Sequence, residues 1–149
     1  MLIPLRNYSN YSICESNIKI EDLVNFADKE KLPAIALTDY KLLSGALEFS
    51  TKCKNKGIQP IIGLDVDFNS KLKHKSRLTF LCKNHIGFKN LNILSTKINT
   101  ENEFHLSLDN INNFSEGNIL ILGGLFSYFQ NLNINTNNLK IILEEITTL

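Results

Sequence analysis

Three groups of residues in this chain carry the side-chain types that chemistry needs. The stretch AIALTDYKLLSGALEF, Ala34 to Phe49, delivers Asp39 and Tyr40 immediately after a wholly apolar run. The stretch LDVDF alternates Asp65 and Asp67 with Leu64 and Val66, so the two carboxylates share one face of a strand. Two carboxylates so placed can hold a pair of Mg²⁺ ions for phosphoryl transfer, as in a polymerase palm. Such a site also needs a third carboxylate and a large frame to hold primer and nucleotide, neither of which this chain supplies, and an edge-exposed acidic pair on a strand is the favoured reading. The third group, Arg6, Asn7, Tyr8, Ser9 and Glu15, lies in the polar run after the apolar opening Ile3 to Leu5. For Asp39 the plainer role is a helix or turn cap, which Asp commonly fills at a strand end.

The usual seats of metal and nucleophilic chemistry are sparse. His74, His85 and His105 fall in polar or connecting segments, with no HxH and no HExxH pair, and read as surface residues. Cys14, Cys53 and Cys82 are odd in number and widely spaced, which fits reduced, packed thiols better than zinc or a disulfide framework. Neither a GxSxG elbow nor a GxxxxGK[ST] loop is present, and Gly123-Gly124 has no partner motif.

The elements that must position these residues follow from periodicity. Ile20, Leu23, Val24 and Ala27 recur at helical spacing, with Glu21 and Asp22 in the first turn, and predict a helix over about Ile20 to Glu30. Pro33 ends it, and Ala34 to Leu37 reads as a strand covered on both faces. Gly45 to Lys56 predicts a second helix with Gly57 at its C-terminal cap, and Pro60 to Phe68 the next strand. After the basic turn KLKHKSR come a strand at Leu78 to Cys82 and a helix at His85 to Ile98. Thr100 to Asn113 reads as an irregular connection, Asn118 to Leu122 as a buried strand, and Gly123-Gly124 as the turn into a short helix ending near Leu132. Thr136 to Leu149 reads as a final amphipathic helix. Alternation this tight predicts an α/β fold of parallel strands with crossover helices, in an open sheet or a barrel. Ligands of such folds gather at the carboxyl ends of the strands, where all three groups fall.

Composition limits the partners. With 149 residues, 43% hydrophobic and 21% charged, the chain has the makeup of one globular domain or part of one. A formal net charge of +1 and a pI near 7.7 leave no basic footprint for nucleic acid, so little direct DNA binding is expected. The N-terminus turns polar after five residues, short of a signal peptide or of the roughly 20 apolar residues of a membrane span. A cytoplasmic chain with no membrane partner is the expectation.

The segment RNYSNYSICESNIKIEDLVNFADKEKLPAIALTDYKLLSGALEFSTKCKNKGIQPIIGLDVDF closely resembles the start of the PHP (polymerase and histidinol phosphatase) domain at the N-terminus of bacterial DNA polymerase III alpha subunits. RLTFLCKNHIGFKNLNILS and FSEGNILILGGL look like the same family's continuation, so the resemblance runs in order along nearly the whole chain: residues 2–70 as the signature segment, 71–149 as further strand and helix units. It implies the N-terminal part of a (β/α)₇ barrel whose rim holds a multi-metal site built from an HxH pair, an Asp, the His of a TDH motif and a Glu. At the matching positions this chain has Arg6 and Tyr8 for the HxH pair, Glu15 for the acidic residue, Asp39 and Tyr40 within the TDH motif, and Asp65 for the glutamate. Three imidazoles are therefore replaced, by an Arg that stays protonated and two phenols that are poor ligands for zinc or manganese.

What the resemblance implies is a degenerate, metal-free PHP segment of a replicative polymerase, with Arg6 neutralising Glu15 and Asp65 where relatives hold metal. No cofactor is expected in this segment. The parent family is a DNA-directed DNA polymerase, a nucleotidyltransferase using deoxynucleoside triphosphates and Mg²⁺; its catalytic region is absent from these residues. The implied partners are the remainder of the alpha chain, the proofreading exonuclease subunit and other replicase subunits, with this segment as scaffold and docking site. A full PHP domain is nearly twice this length, so 1–149 reads as a partial domain of a longer polypeptide, with an unpaired sheet edge and poor solubility or oligomerisation in isolation. Two rivals remain: a stand-alone metal-dependent phosphoesterase of the same superfamily, and a free-standing module that docks onto replication proteins.

Overall fold

The structure is a computed structural model and describes residues 2–69, 75–102 and 104–122. Helix α1 (Ile20–Lys29) turns Ile20, Leu23, Val24 and Ala27 inward, and its acidic first turn and Lys29 at the far end suit the helix dipole. Strand β1 (Ala34–Leu37) is buried along its whole length, as an apolar run without alternation requires. Helix α2 (Ala46–Asn55) buries Ala46, Phe49 and Cys53. It ends in a Schellman motif: Gly57 takes φ +71° and donates to the Lys54 carbonyl, while the Ile58 N–H donates to that of Cys53. Ile58 then packs against Cys53, Phe49 and α1, closing a first core around β1.

Strand β2 (Gln59–Asn69) runs parallel to β1, with Leu37 opposite Ile62. Strand β3 (Lys75–Cys82) pairs antiparallel to β2, and β5 (Asn118–Ile121) antiparallel to β3. Helix α3 (His85–Thr100) starts on Asn84, whose side chain accepts from the Gly87 N–H. A two-residue strand β4 (Leu106–Ser107) pairs parallel to the end of β2 and leads into α4 (Leu108–Ser115), which opens with a capping box between Ser107 and Asn110. The strand order is β1-β2-β3-β5, with β4 also on β2. One face of β2 and β3 sends Leu64, Val66, Phe68, Leu78 and Phe80 into a second core against Leu91 and Leu94 of α3 and Ile111 and Phe114 of α4. Each such side chain, fully buried, contributes about 1.5–3 kcal/mol. The opposite face carries the polar residues that form the candidate site.

The α/β class and the boundaries of α1, β1, α2, β2 and α3 match the sequence reading closely. Uniformly parallel pairing does not hold. Only residues 70–74 separate β2 from β3, too few for the crossover of a dozen or more residues that a parallel pair needs, so the two strands pair antiparallel. Ile3 to Leu5 forms no regular strand: the Ala36 N–H donates to the Pro4 carbonyl, but Pro4 has no N–H to continue a ladder. The segment read as an irregular connection holds the end of α3, β4 and α4. Strand β5 is less buried than expected, with Ile119 53% exposed. The expected turn at Gly123-Gly124 and the helices ending near Leu132 and at Leu149 lie outside the described residues.

Candidate functional site

The polar face of β2 is assembled by pairing. In the antiparallel register Asp65 stands directly opposite Thr79 and Asp67 directly opposite Arg77. On the other edge of β2, Tyr40 forms a bridge with Asp65, the Asp65 N–H donates to the Asp39 carbonyl, and the Lys41 N–H donates to the Asp65 carbonyl. The N-terminal segment is fastened beside β1 by Asn7. Its carbonyl accepts from the Thr38 N–H, its own N–H donates to the Thr38 hydroxyl, and its side-chain amide donates to the Ala36 carbonyl at 2.9 Å. Arg6 and Tyr8, on either side of Asn7, thereby reach Asp65.

Asp65 is fully buried and saturated. A terminal nitrogen of Arg6 donates to both its oxygens at 3.0 Å, the Tyr8 hydroxyl to Oδ2 at 2.5 Å and the Thr79 hydroxyl to Oδ1 at 2.6 Å. Burial first, and then the bond to Asp65, push the Tyr8 phenol up to about 12. For Arg6, burial works against the charge, but Asp65 outweighs it and raises the pKa.

A second group surrounds Arg77. Its guanidinium donates to Glu15 at 2.5 Å, lies 3.7 Å from Asp67 and 4.0 Å from Asp65, and covers the Tyr40 ring at 4.0 Å. Tyr40 donates to Asp67 at 2.6 Å, and the Lys41 ammonium pairs with the same carboxylate at 2.6 Å. The bond from Arg77 holds the Glu15 carboxyl below its ordinary range. Asp67 is also lowered, since the bonds from Lys41 and Tyr40 outweigh a burial effect of opposite sign. Burial, with the Asp67 bond added, raises the Tyr40 phenol.

Asp39 stands apart from both groups. It is buried, and its carboxylate accepts from the Ser9 N–H at 2.6 Å, the Ser9 hydroxyl at 2.7 Å and the Ser12 hydroxyl at 2.6 Å. The Ser12 hydroxyl also accepts from the Tyr40 N–H at 2.9 Å. Asp39 thus ties down the turn that carries Glu15, as a turn cap does.

Arg6, Tyr8, Glu15, Tyr40 and Asp65, all marked in the sequence, converge on one rim, with Asp39 beneath them. The edge-exposed reading of the acidic pair is corrected: Asp67 is half exposed, but Asp65 is buried because β3 covers one edge of β2 and Tyr40 the other. His85 and His105 are exposed and outside the cluster, and His74 lies outside the described residues. Sequence reasoning missed Thr79, Lys41 and Arg77. Arg77 and Thr79 alternate with Leu78 and Phe80, a signal that becomes readable once β2 and β3 are taken as a hairpin.

The donor set does not fit a divalent cation. Three fixed cations, Arg6, Lys41 and Arg77, already face three carboxylates, Glu15, Asp65 and Asp67. Both oxygens of Asp65 are filled by donors that a metal would have to displace. Among the described residues no group of three or more His, Cys, Asp or Glu is placed to hold a metal ion. A cavity of about 250 Å³ opens beside the cluster, where Lys41 and Asp67 line it as a pair. Among the described residues, no helix is long and apolar enough to cross a membrane.

The PHP domain model matches residues 4–149. DNA polymerase III subunit alpha of Chlamydia pneumoniae is 38% identical over 138 residues, covering 84% of this chain and 11% of the relative; that of Chlamydia trachomatis is 39% identical over 114 residues, covering 70% and 9%. An amidohydrolase from Chromobacterium violaceum superposes with a TM-score of 0.66 at 12% identity, over 98% of this chain and 74% of its own, a likeness of fold alone. The chain spans about a tenth of the length of the curated relatives it matches. The chain belongs to the PHP domain family, and its sequence relatives there are DNA polymerase III alpha subunits.

Proposed function

We propose that this chain is a non-catalytic PHP segment of a replicative DNA polymerase III alpha polypeptide, metal-free at its rim, serving as scaffold and as a docking site for the proofreading exonuclease subunit. The observation that carries the reading is the saturation of Asp65 by Arg6, Tyr8 and Thr79, since a carboxylate so engaged has no lone pair to offer a metal. Phosphoester hydrolysis by a metal-dependent route needs an activated water and an open coordination position. Here the positions are filled by a guanidinium, phenols and an ammonium, groups that hold the surrounding segments together. On this reading residues 1–149 correspond to a small part of a longer polypeptide, in keeping with the small share of each relative that they match. DNA synthesis, with its Mg²⁺ and deoxynucleoside triphosphates, belongs to the remainder of the parent chain.

The test is metal analysis of the purified protein after exposure to Zn²⁺ and Mn²⁺, alongside a phosphoester hydrolysis assay. The expected result is substoichiometric metal and no turnover; one bound ion per chain with hydrolysis would overturn the metal-free reading. Docking is tested separately by co-purification with the exonuclease subunit, and its failure would remove that half of the proposal alone.

A further inference from the structure

Arg77 faces three carboxylates, one through a hydrogen bond and two at ion-pair range. One terminal nitrogen donates to Glu15 at 2.5 Å, the other lies 4.0 Å from Asp65, and Nε lies 3.7 Å from Asp67. Its flat face lies 4.0 Å from the centre of the Tyr40 ring, and its side chain is only 14% exposed. The three carboxylates come from different places: Glu15 from the turn held by Asp39, Asp65 and Asp67 from β2. They converge on β3 because the antiparallel register sets Arg77 across from Asp67, one residue pair along the same face from Asp65 and Thr79.

We infer that Arg77 is the built-in counter-cation of this rim, the positioning residue that holds the turn bearing Glu15 against the β2–β3 hairpin in place of a divalent ion. The inference rests on the metal-free reading and names the group responsible for it. A planar, permanently charged guanidinium can donate to Glu15 through one edge, keep its charge within 4.0 Å of Asp65 and Asp67, and lie over an aromatic ring, whereas the compact ammonium of a lysine serves one direction well. Arg6 is placed on Asp65, both of whose oxygens accept from its terminal nitrogen, and not on Glu15, which pairs with Arg77. The Lys41 ammonium is held on the outer side of Asp67 and near the Tyr40 ring. Removing Arg77 leaves Glu15, Asp65 and Asp67 with one positive charge fewer than negative, and like charges so close repel at low ionic strength.

The experiment compares thermal melts of the intact chain, its Arg77→Met variant and its Arg77→Lys variant, with and without Mn²⁺ as the probe. The double variant Arg77→Met/Glu15→Gln is the second arm, chosen because it removes a charge of each sign. Arg77→Met is expected to lower Tm by at least about 4 °C, with Mn²⁺ or higher salt restoring part of the loss. Arg77→Lys should recover less than half, and the double variant should melt above Arg77→Met. If Arg77→Met does not fold, the double variant folding where the single does not supports the inference equally. Failure of both variants to respond to salt, Mn²⁺ or Glu15→Gln would overturn it and leave Arg77 as packing only. Stabilisation of the unsubstituted chain by Mn²⁺ would instead overturn the metal-free reading beneath it.

Discussion

Asp65→Asn isolates the energetic role of the buried carboxylate. The substitution keeps the shape and one carbonyl oxygen, but removes the charge that Arg6 faces and places an amide where Oδ1 accepts from Thr79 and Arg6 or where Oδ2 accepts from Tyr8 and Arg6. Removing one partner of a buried pair costs about 3–5 kcal/mol, because the other charge is left uncompensated. The Arg6 side chain retains 19% exposure, so water relieves some of that cost and the lower end, about 3 kcal/mol, is expected. For a chain of this size that corresponds to a fall in Tm of roughly 6–12 °C, against a total stability of about 5–15 kcal/mol. The sequence contains no tryptophan, so the assay is urea unfolding followed by circular dichroism. Combining it with Arg6→Met in a double-mutant cycle gives the pairwise part, expected to be at least about 1.5 kcal/mol. A cost below about 1 kcal/mol, or strict additivity with Arg6→Met, would refute the claim that this pair organises the rim.

Further outcomes follow from other contacts. The folded Tyr8 phenol titrates at about 12 against 10.0 for the free side chain, so its contribution is whole below pH 10.0 and is lost as the pH rises towards about 12. Alkaline melts should show that loss, Tyr8→Phe should flatten it, and identical alkaline limbs in the two proteins would contradict the Tyr8–Asp65 bond. Gly63→Ala should cost about 1–3 kcal/mol through overpacking, since the new methyl meets the Phe80 carbonyl, Thr38 Cγ2 at 2.7 Å and Leu81 Cδ2 at 2.8 Å. Gly57→Ala has open space but a φ of +71°, and should cost about 1–2 kcal/mol from backbone conformation alone; denaturant titration separates the two. Of the thiols, Cys14 is exposed, whereas burial pushes Cys53 up to about 11 and also raises Cys82. One fast-reacting thiol per native chain is therefore expected in a colorimetric thiol assay, and rapid modification of all three would show that the two cores are not closed.

Much of the architecture was legible because it is local. The apolar spacing of Ile20, Leu23, Val24 and Ala27 sets the buried face of α1 without reference to the rest of the chain. Gly57 ends α2 because its positive φ is open to glycine at little cost, and the unbroken Ala34 to Leu37 run declares a strand covered on both faces. That Arg6, Tyr8 and Tyr40 stand where the resemblance implies imidazoles is a reading of residue identity alone. What the sequence left open was partnership across the sheet. Alternation assigns Asp65, Asp67, Arg77 and Thr79 to faces, but period two is silent on which strand lies alongside and in which direction. Reading Arg77 as the end of a basic turn, with the strand beginning at Leu78, kept it away from the carboxylates; β3 begins at Lys75, and the antiparallel hairpin sets Arg77 opposite Asp67 and within 4.0 Å of Asp65. Burial of Asp65 is decided the same way, by β3 on one edge, Tyr40 on the other and Arg6 above, all distant in sequence. Residue types and spacing determined which charged and phenolic side chains stand near the strand ends; only the tertiary pairing of charges, whose energies depend on distance and exclusion of water, decided which of them meet and which are buried.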